Sequence, residues 1–145
     1  MNKIKIYFKS TEGFADLPIR LGLGLVFVAH GSQKLFGWFG GYGLEGTGQW
    51  MDSIGLSPGY FMALAAGSME FFGGLFILAG LLTRLSALGA AITMIVAIVS
   101  VHLENGFFLA NNGYEFGLVL LLMAVSLMLR GSGKASLDNK LFGSA

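Results

Sequence analysis

Four apolar stretches dominate the chain, near 17–37, 57–80, 83–103 and 114–130. Each is close to the ~20 residues that a helix needs to cross a bilayer. The pattern predicts an all-α fold, a four-helix transmembrane bundle. Polar positions inside these stretches are few. His30, Gln33 and Lys34 stand at i, i+3 and i+4 and share one helix face in the outer part of the first stretch. Glu70 stands about 18 Å beyond Pro58 at 1.5 Å per residue, close to the midplane of the second stretch. Its face carries Ala63, Gly67, Gly73 and Gly74, the small residues that let helix backbones approach. His102 closes the third stretch and Glu115 opens the fourth. A charged side chain in hydrocarbon costs roughly 2.5–3.5 kcal/mol on insertion scales, so these residues are expected to face the bundle interior and mark a site.

Composition strengthens the membrane reading. The 145 residues are 54% hydrophobic and 12% charged, with a mean hydropathy of +0.72. A soluble domain of this size needs far more surface charge. The net charge of +1 offers no basic field to nucleic acid. The absence of Cys removes disulfides, thiol relays, iron–sulfur clusters and Cys-ligated zinc, and no metal site is expected.

Lys and Arg set the orientation. Lys3, Lys5, Lys9 and Arg20 lie at the start, Arg84 between the second and third stretches, and Arg130, Lys134 and Lys140 after the fourth. The segments 38–56 and 104–113 have neither Lys nor Arg. Both termini are therefore expected in the cytoplasm of a cell with this chain in its inner membrane. The basic N-terminus followed by an apolar run resembles a secretory signal. Arg20 inside that run and His30–Lys34 after it argue instead for an uncleaved first span. Arg20, Arg84 and Arg130 read as topology anchors that snorkel to the inner edge.

The first outer segment is Gly-rich. Thr47 is expected to N-cap a short interfacial helix reaching Ile54, with Trp38, Trp50 and Tyr60 in the interface belt; a flexible Gly-rich loop is the alternative. The candidate ligand-binding or proton-relay residues are His30, Gln33, Lys34, Glu70, His102 and Glu115, arranged as one outward-opening polar pocket. Each also has a structural reading. Glu70 can pair with Lys34, His30 can bond a backbone carbonyl, Lys34 can snorkel, and His102 and Glu115 sit where polarity is cheap.

Several motifs in order resemble the DoxX family of small membrane proteins. They are His30-Gly-Ser-Gln-Lys-Leu-Phe-Gly, Glu70-Phe-Phe-Gly-Gly, Gly80-Leu-Leu-Thr-Arg84, Gly106-Phe-Phe with Gly113-Tyr-Glu115, and Gly131-Ser-Gly-Lys-Ala-Ser-Leu-Asp138. The resemblance covers nearly all of the chain beyond the first dozen residues, as a single domain. It implies a role near quinone chemistry. The family is named for a subunit associated with a terminal quinol oxidase, and other members are linked to thiosulfate:quinone oxidoreduction, quinone or catechol detoxification and redox stress. It implies no settled catalytic residues, and it leaves open whether the chain is an enzyme.

Three readings follow. The first is a quinone-associated redox or detoxification subunit. An apolar cleft with a few polar groups suits a small amphipathic ligand. Lys34 or Gln33 would donate to a quinone carbonyl, Glu70 would exchange a proton, and His30 or His102 would relay it outward. The electrons would come from a soluble or membrane redox partner. The second is a non-catalytic scaffold or assembly partner, with the polar cluster as glue. The third is a small-solute carrier, for which so short a chain would need a second copy. Two bundle His can also ligate haem, but His30 lies about two turns inside its span and His102 at the end of its own, so haem is not expected.

Overall fold

Helices form where the apolar stretches lie. The computed structural model describes residues 13–143, and the early Lys3, Lys5 and Lys9 fall outside them. Among the described residues there are no strands and six α-helices: α1 (Asp16–Phe36), α2 (Gly43–Ser53), α3 (Gly59–Ala79), α4 (Thr83–Ala97), α5 (Glu115–Arg130) and α6 (Leu137–Phe142). Beyond α4 the chain continues through a π-helical turn, Ile98–His102, and a 3₁₀ turn, Leu103–Asn105.

The segment after α1 forms the short helix α2 and not the flexible loop that was its alternative. It starts at Gly43, so Thr47 is a buried residue within it and not its N-cap. Its most useful polar residue is Asp52, whose Oδ1 accepts from the Gly59 N–H at 2.8 Å and from Ser57 Oγ at 2.7 Å. Asp52 thereby satisfies an otherwise unpaired donor at the start of α3.

α1 and α3 pack antiparallel with their backbones nearly touching. A Cβ on Gly31 would overlap the backbone of Phe71, and one on Gly74 would press against Val28 and the Gly24 carbonyl. Small residues permit this approach, and they fix the register of the two helices. Gly31→Leu is expected to force the pair apart and lower stability in detergent by about 1–3 kcal/mol or more, the usual cost of overpacking. A melting curve matching the wild type would refute the tight seam. The apolar core gathers Leu23, Phe27, Ile77, Ala90, Met94, Leu120, Ala124 and Leu127, which are buried together.

The end of the bundle carrying Arg20, Arg84 and Arg130 is built differently from the snorkelling expected. Arg20 is 2% exposed. Its Nε donates to Ile77 O at 2.9 Å, Nη2 to Leu78 O at 2.6 Å, and Nη1 to Ser132 O and Ala135 O at 2.9 and 2.7 Å. One guanidinium thus ties α1 to the end of α3 and to the segment after α5. Asp16, fully buried, accepts from Arg130 Nε at 2.6 Å. Arg84 Nη1 donates to the Met128 and Leu129 carbonyls, unpaired acceptors at the end of α5. Asp138 accepts from the Leu82 and Thr83 N–H groups at 2.7 and 2.9 Å and so caps α4 from α6. The turn between α3 and α4 needs Gly80 with φ +66°, because a Cβ there would strike Arg20 and Ser136. The motifs Gly80–Arg84 and Gly131–Asp138 are therefore two halves of one lock. The five-donor fork of arginine, always charged, suits it to this many carbonyls.

Candidate functional site

The register that brings α1 against α3 also brings Lys34 to Glu70. Lys34 Nζ donates to Glu70 Oε2 at 2.7 Å. The Glu70 side chain is 6% exposed and that of Lys34 21%. Gly67, one turn earlier on α3, leaves room for the base of Lys34 to lie across the helix. The pair is a net-neutral unit, and only good geometry offsets its desolvation.

His102 arrives from the π turn that ends α4. A π turn displaces the residues after it relative to an ordinary helix, and such turns are frequent at functional sites. Its Nδ1 lies 2.9 Å from the Asn112 carbonyl. A carbonyl only accepts, so Nδ1 carries the proton and a neutral His102 keeps a lone pair on Nε2. The same carbonyl accepts from Asn105 Nδ2 at 3.1 Å, which pins the loop before α5 to the helix end. Gly113 follows, and a Cβ there would overlap the Gly106 carbonyl. Sequence reasoning missed the Asn112 carbonyl; the Asn-Gly dipeptide was the available sign of a turn at this place.

Two cavities meet at these residues. The smaller measures about 140 Å³ and is lined by His30, Lys34, Glu70 and His102 with Phe27, Phe116 and others. The larger measures about 580 Å³ and lies between α3 and α4, lined by Met62, Ala66, Met69, Thr93 and their neighbours. Lys34, Glu70, Ala97 and His102 belong to the walls of both. His30 is exposed, so it stands at the rim of the smaller cavity.

The other two candidates stand apart. Gln33 Nε2 donates to Phe39 O at 3.3 Å and holds the turn after α1. Glu115 Oε1 accepts from the Leu109 N–H at 2.6 Å and fastens the loop before α5. Neither lines the two cavities. Helical spacing put Gln33 on the face of His30 and Lys34, but the local turn claims its amide. His30 and His102 do line one cavity despite their different depths. Among the described residues no cluster of His, Asp or Glu has a metal site's composition.

The DoxX family model matches residues 15–103, from the start of α1 to the end of the π turn. The chain belongs to the DoxX family. Oxidoreductase CatD of Bacillus subtilis (strain 168), a provisional name, is 37% identical over 134 residues, covering 92% of this chain and 91% of that protein. The membrane protein Rv3486 of Mycobacterium tuberculosis (strain ATCC 25618 / H37Rv) is 35% identical, covering 85% and 78%. Inner membrane protein YqjF of Escherichia coli (strain K12) is 31% identical, covering 85% and 82%. No solved structure matches the chain. This DoxX chain is thus a membrane protein. The family match contains the ionisable residues of the smaller cavity's wall, His30, Lys34, Glu70 and His102, and it ends before Glu115 and the Gly131–Asp138 half of the lock.

Proposed function

We propose that this DoxX protein is a four-helix bundle with α1, α3, α4 and α5 across the inner membrane and both termini in the cytoplasm. α3 and the α4 helix through Asn105 are long and apolar enough to span. α1 has 21 residues and α5 has 16. Leu25, Phe72, Ile95, Val99, Leu122 and Leu129 are all exposed, as side chains meeting lipid are. Arg84, Lys134 and Lys140 lie toward one end, and the loops at the other have no Lys or Arg, which supports the orientation. The Arg20 lock then faces the cytoplasm, and the Lys34–Glu70 pair lies in the outer half beneath α2.

Within that frame the protein is a quinone-associated redox or detoxification subunit that binds a small ring compound beside Lys34 and Glu70. One observation carries this: a neutral ion pair forms the wall of a ring-sized cavity. The cavity of about 140 Å³ is close to the ~150 Å³ that holds benzene in an engineered protein core. Lys34 donates to a ring carbonyl, Glu70 exchanges a proton with the ring oxygen, and Nε2 of His102 accepts from a ring hydroxyl. Reduction of a quinone to a quinol takes two electrons and two protons, and a partner protein supplies or removes the electrons. A pure scaffold needs no such cavity.

Gently purified protein is expected to retain a ring-bearing lipophile detectable by mass spectrometry. Glu70→Gln keeps the volume but not the charge, and is expected to reduce that retention about tenfold, the order seen when a charged hydrogen bond is lost. No retained compound above an empty-membrane control, together with unchanged quinone tolerance in the Glu70→Gln strain at normal protein level, would refute the reading.

A further inference from the structure

The ring-sized cavity does not use the larger one, and the two differ in polarity. Lys34, Glu70, His102 and Asn112 are polar members of the larger cavity's wall. The rest of its wall is apolar or nearly so. Thr93 is the exception by type, but its hydroxyl donates to Gly89 O at 2.9 Å and is internally satisfied. The cavity follows α4 and the π turn after it from Gly89 to Val101, about 18 Å at 1.5 Å per residue. Ala65 on α3 and Ile92 and Val96 on α4 line it and are also exposed, so it reaches the surface along the α3–α4 seam. Met69 lies against Gly89 and forms its deep boundary, and with Met62 supplies an unbranched, adaptable wall.

We propose that the larger cavity is a tail chamber. The ligand is a single-tailed membrane lipid with a neutral, oxygen-bearing ring, its ring beside Lys34 and Glu70 and its tail along the α3–α4 seam. It enters sideways from the bilayer through that seam. A net-neutral ion pair at the junction disfavours an anionic head, and a polar wall at Lys34 and Glu70 beside an apolar seam of Ala65, Ile92 and Val96 matches an amphiphile with a polar head and an apolar tail. This inference rests on the ring-binding reading above.

The test uses the full chain in lipid nanodiscs with a trimethyl-benzoquinone that carries a decyl tail ending in a photoactivatable diazirine. Tetramethyl-benzoquinone, which has no tail, serves as the competitor. Peptide mass spectrometry is expected to find labels on Met62, Ala66, Met69 or Thr93, displaced by the competitor. Ala66→Phe, which fills the chamber from α3, is expected to cut seam labelling at least about fivefold; with ~1.4 kcal/mol per tenfold this is a loss near 1 kcal/mol. The thermal stability of that variant, measured alongside, and a second filling variant, Thr93→Leu, guard against misfolding. Displaceable labelling spread over the lipid-facing residues of α5, such as Val119 and Leu122, would overturn the tail chamber and leave the ring site standing. Seam labelling that the competitor does not displace means an annular lipid only and overturns the inference. No displaceable labelling anywhere would overturn the ring-binding reading as well.

Discussion

Arg20→Met is expected to destabilise the protein strongly. The substitution removes the donors that serve four carbonyls, at Ile77, Leu78, Ser132 and Ala135. Leaving one buried acceptor unpaired costs about 1–3 kcal/mol, and the substitution leaves four. The upper end of that range or more is the expectation, because the acceptors lie in two separate segments, the end of α3 and the segment after α5, that Arg20 joins to α1. Melting in detergent should fall accordingly, and membrane abundance with it. A second readout is specific to the lock. Lys134 and Lys140 lie in the segment that Arg20 secures, so tryptic cleavage there should accelerate well before global unfolding. Arg20→Lys should rescue in part, since an ammonium brings charge but not the planar fork. A methionine variant with wild-type melting and wild-type tryptic resistance would show that the carbonyls find other partners.

This lock also shows where sequence reading stops. The positions of the long helices were legible, because apolar length and helical punctuation are local properties. So was the coming together of His30, Lys34 and Glu70, since α1 and α3 are neighbours in the chain and a small-residue stripe sets their register. Arg20 was not legible. Its position near the end of an apolar run is the same for a snorkelling anchor and for a buried hub. The difference lies in carbonyls 57 to 115 residues away, which no local pattern reveals. The Gly80–Arg84 and Gly131–Asp138 motifs stood out as motifs, yet their pairing is a tertiary fact. Gln33 and Glu115 illustrate the converse. Helical spacing and membrane depth grouped them with Lys34 and Glu70, but each has a backbone partner within a few residues. Short-range hydrogen bonds of this kind compete with any longer-range role for a polar side chain.

Lys34→Met combined with Glu70→Leu is expected to give a folded protein that no longer retains a ring-bearing compound. The singles frame the argument. Glu70→Ala leaves the Lys34 ammonium in a largely desolvated place without its carboxylate, at a cost of about 3–5 kcal/mol. Lys34→Met is milder, because a carboxyl can take up a proton and become neutral where an isolated charge is costly. The double variant replaces both charges with apolar groups of similar volume, a change that is often neutral or even stabilising for buried pairs. Stability should therefore return close to wild type, with a coupling between the two positions of about 1–3 kcal/mol in the mutant cycle. Function should not return. A scaffold that uses the pair only as glue would work with apolar glue, so restored stability and restored quinone tolerance together would favour the scaffold. A binding site loses its donor, its proton carrier and its polarity at the junction of the two cavities, whatever its stability. Restored melting with lost retention separates the two, because only a ligand distinguishes a charged wall from an apolar one of the same shape.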